Sequence, residues 1–191
     1  MNQLGNGLGS GHIHEDALSV REAELAMQQR LDAPEEHILV VQNNLASTYA
    51  ALGHREKALS IEQDVYSGRL KLVGEEHPKT LLAANNYADS LCNLQRFEEG
   101  KALLRRLMPV ARRVLGESHE RTLRMRWLYA AALCNDPGAP LDDLYDDLGE
   151  AVTTFEEIER TARRVLGGAH PTTRGIEQAL QQARDALRTR A

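Results

Sequence analysis

The sequence predicts an all-α solenoid, a stack of helical hairpins winding in a right-handed superhelical arc with no sheet. Three observations carry this expectation. Gly74-Glu75-Glu76-His77-Pro78-Lys79-Thr80 returns 42 residues later as Gly116-Glu117-Ser118-His119-Glu120-Arg121-Thr122, and again as Gly167-Gly168-Ala169-His170-Pro171-Thr172-Thr173. Apolar and small residues between these marks recur at helical spacing rather than alternating as strands do. Aromatics are only 4% of the chain while Ala and Leu abound, which favours close helix packing over a sandwich or barrel. A unit of this size buries its apolar face only against its neighbours, so the stack exposes long surfaces suited to other proteins.

Taken in order, residues 1–33 read as a degenerate first repeat. Shifted by 41, Asn2-Gln3-Leu4-Gly5 overlays Asn43-Asn44-Leu45-Ala46, and Glu15-Asp16-Ala17-Leu18-Ser19 overlays Glu56-Lys57-Ala58-Leu59-Ser60. Residues 1–11 are therefore expected to form the first helix of a first hairpin, weakened by Gly5, Gly7, Gly9 and Gly11 at about 1 kcal/mol each relative to Ala. In the repeat at 34–74, Leu45, Ala46, Tyr49 and Leu52 mark one helix and Gly53 a turn. A second helix runs through Ala58, Ile61, Val65 and Leu72 to a capping Gly74, with Pro78 opening the next. The repeat at 75–116 keeps this register. The one at 117–167 is stretched to 51 residues by an insertion near 135–144, where Asp136-Pro137-Gly138-Ala139-Pro140 is turn chemistry. Asp142, Asp143, Asp146, Asp147 and Glu150 then fall near a helix N-terminus, where the macrodipole favours them. Residues 168–191 form a capping helix with Ile176, Leu180, Ala183 and Leu187 on one face. The expected domain is one array over 1–191, of four hairpins and a cap.

The net charge of -5 is unevenly spread. Residues 1–95 carry 7 basic and 13 acidic side chains, whereas residues 96–126 carry 9 basic and 4 acidic. The second stretch, with Arg105, Arg106, Arg112, Arg113, Arg121, Arg124 and Arg126, is either a solvated helix face or a surface for an acidic partner. Cys92 and Cys134 occupy equivalent positions on successive repeats, too far apart on packed helices for a disulfide, which suits a reducing compartment. No apolar run approaches the roughly 18 residues that span a bilayer, and the N-terminus lacks a secretory pattern. A cytoplasmic protein without membrane contact is the expectation. His77, His119 and His170 recur just before helices and read as helix-entry residues rather than metal ligands. No phosphate loop, nucleophile elbow or spaced metal-ligand set occurs, so neither enzyme activity nor a cofactor is expected.

The pattern Asn-Asn-Leu-Ala-x-x-Tyr-x-x-x-Gly, then Glu-x-Ala, a second helix and Gly-x-x-His-Pro-x-Thr, resembles the 42-residue tetratricopeptide repeats of the kinesin light chain type. The likeness covers nearly the whole chain and is best over residues 35–123. It implies that the first helix of each hairpin lines a concave groove where asparagines hold the backbone of an extended peptide. A carboxamide offers both donor and acceptor, so it satisfies a peptide unit without demanding a side chain. Carried over, the peptide-binding candidates are Asn43, Asn44, Asn85 and Asn86, with Ser47 and Asp89 one turn further on. In the third repeat Trp127 and Leu128 replace the Asn pair, with Arg124 one turn before. This gives the groove an aromatic and cationic end suited to an apolar or acidic anchor. Two structural alternatives stand beside this: the Asn pairs bridge neighbouring hairpins or satisfy a backbone carbonyl, and Trp127 fills the core between repeats.

The implied function is a non-catalytic interaction module or scaffold that binds an extended peptide or short helix. The alternative is a region that packs against other repeats, of a second copy or of a longer chain. RNA binding through the arginines of 96–126 is a third reading, which the scarcity of aromatics and the acidic N-terminal half disfavour.

Overall fold

The computed structural model describes residues 2–136, 138 and 141–189, with side chains described for 15–136, 138 and 146–189. Among the described residues there are eight helices and no strand. They are α1 (Asn2–Arg30), α2 (Glu35–Ala51), α3 (Arg55–Val73), α4 (Pro78–Asn93), α5 (Phe97–Leu115), α6 (Glu120–Asn135), α7 (Leu141–Val165) and α8 (Pro171–Arg188). The chain divides into two compact units, Met1–Ser90 and Leu91–Ala191, with the division inside α4.

The recurring heptapeptide builds each helix junction in the same way. Gly74, Gly116 and Gly167 have φ of 83°, 97° and 86°, the left-handed conformation that glycine adopts without a Cβ penalty. Each following histidine caps the next helix. The Nδ1 atoms of His77, His119 and His170 accept hydrogen bonds from the backbone N–H of Lys79, Arg121 and Thr172 at 3.1, 3.1 and 3.3 Å. Thr80, fully buried, donates its hydroxyl to the Gly74 carbonyl at 2.7 Å and closes the turn from within. The imidazoles take the role that Ser or Asp usually fills at an N-cap.

In the Met1–Ser90 unit, α2 and α3 form the hairpin and meet at Ala58, which packs with Leu45 and Tyr49 in one apolar cluster. Leu18 and Leu25 of α1 lean on the same cluster. Polar contacts fix α1 further: Arg21 donates to the Asn44 carbonyl at 2.9 Å and to Thr48, and Tyr49 donates to Glu22. The expected hairpin at the start of the chain is here a single helix, continuous from Asn2 to Arg30. The residues from Glu15 onward take the place of a second helix, and the glycine-bearing segment extends it in line. Three apolar residues, Val20 and Met27 on α1 and Leu31 just past its end, stand 66%, 53% and 69% exposed.

In the Leu91–Ala191 unit, α6 and α7 form the hairpin and α8 packs on both. The nine extra residues of this repeat lengthen α7 to 25 residues, against 19 for α3 and α5. The insertion is thus mostly helix; Pro137, Ala139 and Pro140 lie outside the described residues. Ile176, Leu180 and Ala183 of α8 are buried as expected of a cap, and Arg184 pairs with Glu156 of α7 at 2.7 Å. Among the described residues no helix is long and apolar enough to cross a membrane.

One buried carboxyl makes the stability of the first unit depend on pH. Glu62 on α3 is buried and its Oε2 has no hydrogen-bond partner. Burial pushes its pKa from 4.5 to about 7, with a bond from Ser90 opposing and the Asp89 charge adding to the rise. A carboxyl with a raised folded-state pKa contributes stability that is fully present below pH 4.5 and lost as pH climbs through about 7. Urea melts should therefore weaken steadily across that window. Glu62→Gln should flatten the profile and leave the variant the more stable protein at alkaline pH. A wild-type profile as flat as that of the variant would show that Glu62 is ionised in the folded chain.

Candidate functional site

The first helices of successive repeats are α2 and α4 in the Met1–Ser90 unit. Residues at 40, 43 and 47 on α2, and at 79, 82, 86 and 89 on α4, share one face of each helix by their spacing. Asn86 Nδ2 donates to Asn43 Oδ1 at 3.1 Å, tying α4 to α2 across this face. Asn43 and Asn86 are half-buried, whereas Asn44 and Ser47 are exposed, with the Ser47 hydroxyl donating to the Asn43 carbonyl at 3.1 Å. Asp89 is half-buried. Asn85 is only 3% exposed. Its carboxamide faces the interior, so the expectation that it meets a peptide does not fit its burial. The reason is register: Asn85 and Asn86 are 100° apart on the helix, which turns Asn85 into the interior and leaves Asn86 at its margin.

Beside the Asn43–Asn86 bond lies a cavity of about 200 Å³ between α2, α3 and α4, lined by Asn43 itself with Leu39, Val40, Val65, Leu82, Ala83, Arg69 and Lys79. Val40 and Leu82 are partly exposed there. Glu36 occupies the two cations, bonding Lys79 and lying 3.7 Å from Arg69. The Lys79 bond, then its charge, holds the Glu36 carboxyl below its ordinary range. The face therefore presents an apolar end, a central pair of amides and a polar end at Ser47 and Asp89.

In the Leu91–Ala191 unit, Trp127 is half-buried on α6, and its ring lies against Gly175 of α8. It lines a groove between α6 and α8 of about 570 Å³. Arg124, one turn earlier, is exposed and outside the groove lining, so the cationic end expected beside Trp127 is not part of it. Sequence reasoning also missed the opposite wall. Gln178 and Gln182 stand 51 residues after Trp127 and Ala131, the stretched register already visible in the heptapeptide, and both line the same groove.

The arginines of 96–126 do not form an open cationic field. Arg96 pairs in a fork with Glu99 at 2.6 Å on both arms, and Arg112 reaches Glu117 at 3.1 Å. Arg105 lies over the Tyr129 ring and bonds its hydroxyl at 3.0 Å. Arg126 is buried between Glu117 and Glu157. Cys92 and Cys134 are thiols, and burial, then the Asp147 charge, pushes Cys134 up to about 11, far from a reactive thiolate.

The family model described as tetratricopeptide repeat matches residues 38–79 and 80–121. No curated protein matches the chain. Among solved structures, a point variant of the nearly identical TPR-like repeats of a Podosopora anserina protein, assigned as a kinesin light chain, superposes with a TM-score of 0.76 at 21% identity. The match covers 98% of this chain and 85% of that one; the unsubstituted form gives 0.74 with the same identity and coverage. BtubC (BKLC) from P. vanneervenii gives 0.61 at 16% identity over 92% of this chain and 74% of that one. Residues 38–79 and 80–121 are thus two tandem tetratricopeptide repeats, and the all-α fold is that of the kinesin light chain-like repeat structures.

Proposed function

We propose that the chain is a non-catalytic protein-interaction module whose Met1–Ser90 unit holds an extended peptide on the face shared by α2 and α4. The Asn43–Asn86 hydrogen bond carries this reading. It uses one donor and one acceptor, leaving both N–H groups of Asn43 and the carbonyl oxygen of Asn86 with capacity for a further partner. The pair thus offers a peptide unit both a donor and an acceptor, already held in place by each other. The apolar cavity is lined by Asn43 itself, and its Val40 lies one helical turn along α2, roughly 5 Å away. Two residues of extended chain span about 6.6 Å, so a peptide gripped at the amides would bring a neighbouring apolar side chain to that cavity.

Peptides selected from a display library on the full chain provide the test. Asn43→Ala combined with Asn86→Ala should weaken them by at least about tenfold, at about 1 kcal/mol for each peptide group left unpaired. The helical content should stay unchanged. Selected peptides that bind the double variant as tightly as the wild type would place the site elsewhere.

A second reading, self-association, has its own observation in the exposed Val20, Met27 and Leu31. These fall on one stripe of α1 and its C-terminal extension, a surface that suits the equivalent stripe of a second copy. A molecular mass that rises with concentration in sedimentation would mark it.

A further inference from the structure

The shift of 41 residues that lays Glu15-Asp16-Ala17-Leu18-Ser19 over Glu56-Lys57-Ala58-Leu59-Ser60 makes α1 a second helix, equivalent to α3. One side of it, through Leu18 and Leu25, leans on the core cluster of the next hairpin. The opposite side carries Asp16, Val20, Glu24, Met27 and Leu31, one stripe by their spacing and all exposed. Their equivalents on α3 include the residues that meet the first helix of the same hairpin. Ile61, in the place of Val20, packs on the cluster of Leu45, Tyr49 and Ala58. Lys57, in the place of Asp16, lies over the Tyr49 ring at 5.2 Å, and Val65, in the place of Glu24, lines a cavity with Leu39. The stripe is therefore the seam side of a second helix, open to solvent.

The reverse holds for α8, which stands in the register of a first helix. Two shifts of 42 residues carry α2 to α6, and the stretched shift of 51 carries α6 to α8. Leu39, Leu45 and Tyr49 of α2 thus correspond to Arg174, Leu180 and Arg184 of α8. These positions mark the side on which a first helix meets its second. On α8 that side borders an open groove of about 540 Å³, lined by Glu156, Glu159 and Arg160 of α7 with Glu177, Leu180 and Arg184. Arg174 is exposed. Arg184 holds Glu156 at 2.7 Å, with both side chains partly in water, and keeps further N–H donors for a second acceptor.

We infer that the seam side of α8 receives α1 of a second copy of this chain, the two helices forming a hairpin between molecules. The inference rests on the self-association reading and names the surface that the α1 stripe meets. Charge matching carries it. In the α2–α3 hairpin the seam residues at 49 and 57 are Tyr and Lys, and those at 39 and 65 are Leu and Val. Between copies these two pairs become Arg184 with Asp16 and Arg174 with Glu24, each of opposite charge. Val20 comes to Leu180 as Ile61 comes to the cluster of Leu45. The antiparallel sense of a hairpin makes both pairs at once: Asp16 near the start of the stripe meets an arginine late in α8, and Glu24 further on meets one early in it. A second copy of the stripe matches it in apolar residues alone, because both of its charged members are acids. Each copy carries both faces, so the pairing is heterologous and passes from copy to copy.

Sedimentation of the full chain over a range of concentrations is the test, and the wild-type mass should rise with concentration. Asp16→Arg and Arg184→Asp should each weaken association by at least about tenfold, because like charges then face each other at the contact. Circular dichroism should stay unchanged, since neither side chain belongs to the core. An equimolar mixture of the two variants should recover association, as should the chain carrying both changes, since opposite charges again meet in each. Weakening by D16R but not by R184D would overturn the inference and leave the stripe to some other surface, its own copy included. A mixture that stays as weak as its parts, or association that neither variant touches, would overturn it as well. In those three results self-association itself stands. A mass of one copy at every concentration would remove the self-association reading together with this one.

Discussion

Ala58→Asp is expected to abolish the cooperative unfolding transition of the Met1–Ser90 unit and remove most of its helical signal. Ala58 is fully buried where α3 crosses α2, in contact with the Leu45 and Tyr49 cluster. The equivalent positions of the later repeats are Gly100 and Ala151, both buried, so a small residue marks the place where the second helix of a repeat is most enclosed. A carboxylate there has neither water nor a cation, and an uncompensated buried charge costs several kcal/mol. That is comparable with the whole stability of a small domain, about 5–15 kcal/mol. The damage should spread, since α1 is held through Leu18 and Leu25 on the same cluster and repeats gain stability from their neighbours. Ala58→Gly is the control, because glycine already serves at position 100. It should cost only about 1 kcal/mol of helix propensity. An unchanged melting temperature for A58D would remove Ala58 from the helix seam.

That seam was legible in the sequence because it is set by periodicity. The 42-residue register puts Ala58 under Gly100, Gly74 under Gly116 and His77 under His119, with His170 at the stretched interval of 51; the structure shows Gly74 and Gly116 with positive φ and those imidazoles as caps. What the register could not reveal is where one repeat departs from another through a long-range partner. Adjacent asparagines look alike in a motif, yet a 100° rotation buries Asn85 and leaves Asn86 to bond Asn43. The acidic run after Pro140 suited a helix N-terminus by local rules. In the fold, Asp147 lies 3.7 Å from Lys101, and Glu150 accepts from Tyr129 at 3.1 Å. The continuity of α1 was also hidden, since the 41-residue overlay on the next repeat argued for a hairpin. Gln178 and Gln182 could have been found by carrying the 51-residue shift past His170 instead of reading the last helix only as a cap.

The departure with the largest energetic consequence is Lys101. One repeat earlier its place is held by Leu59, a buried core residue. Lys101 is just as buried, at 5%, and its ammonium bonds Asp136 at 2.8 Å, itself 8% exposed. Asp136 is the first residue after α6, at the head of the insertion, and its other oxygen accepts the Gly138 N–H at 2.9 Å. The insertion thereby supplies the counter-charge that the lysine requires. Burial is the largest single influence and opposes ionisation of both groups, but their mutual hydrogen bond together with Glu98, the Gly138 N–H and the attraction of the charges outweighs it, holding Lys101 well above and Asp136 below their ordinary pKa values. Asp136→Ala should therefore destabilise the Leu91–Ala191 unit by about 3 kcal/mol, the low end for breaking a buried pair. The low end applies because Glu98, at 2.6 Å but largely in water, and Asp147 remain to share the charge. Lys101→Leu with Asp136→Ala should recover that loss or exceed the wild type, since Leu59 shows that the position accepts an aliphatic side chain. The penalty of the single variant should also fade in acid. Asp136 contributes stability above its unfolded pKa of 3.8, and that contribution is lost as pH falls through its depressed folded value. Chemical denaturation of the three proteins at neutral and acidic pH measures all of this. A double variant no more stable than the single one would mean that Asp136 acts through its bond to Gly138 in ordering the turn, and not as the partner of Lys101.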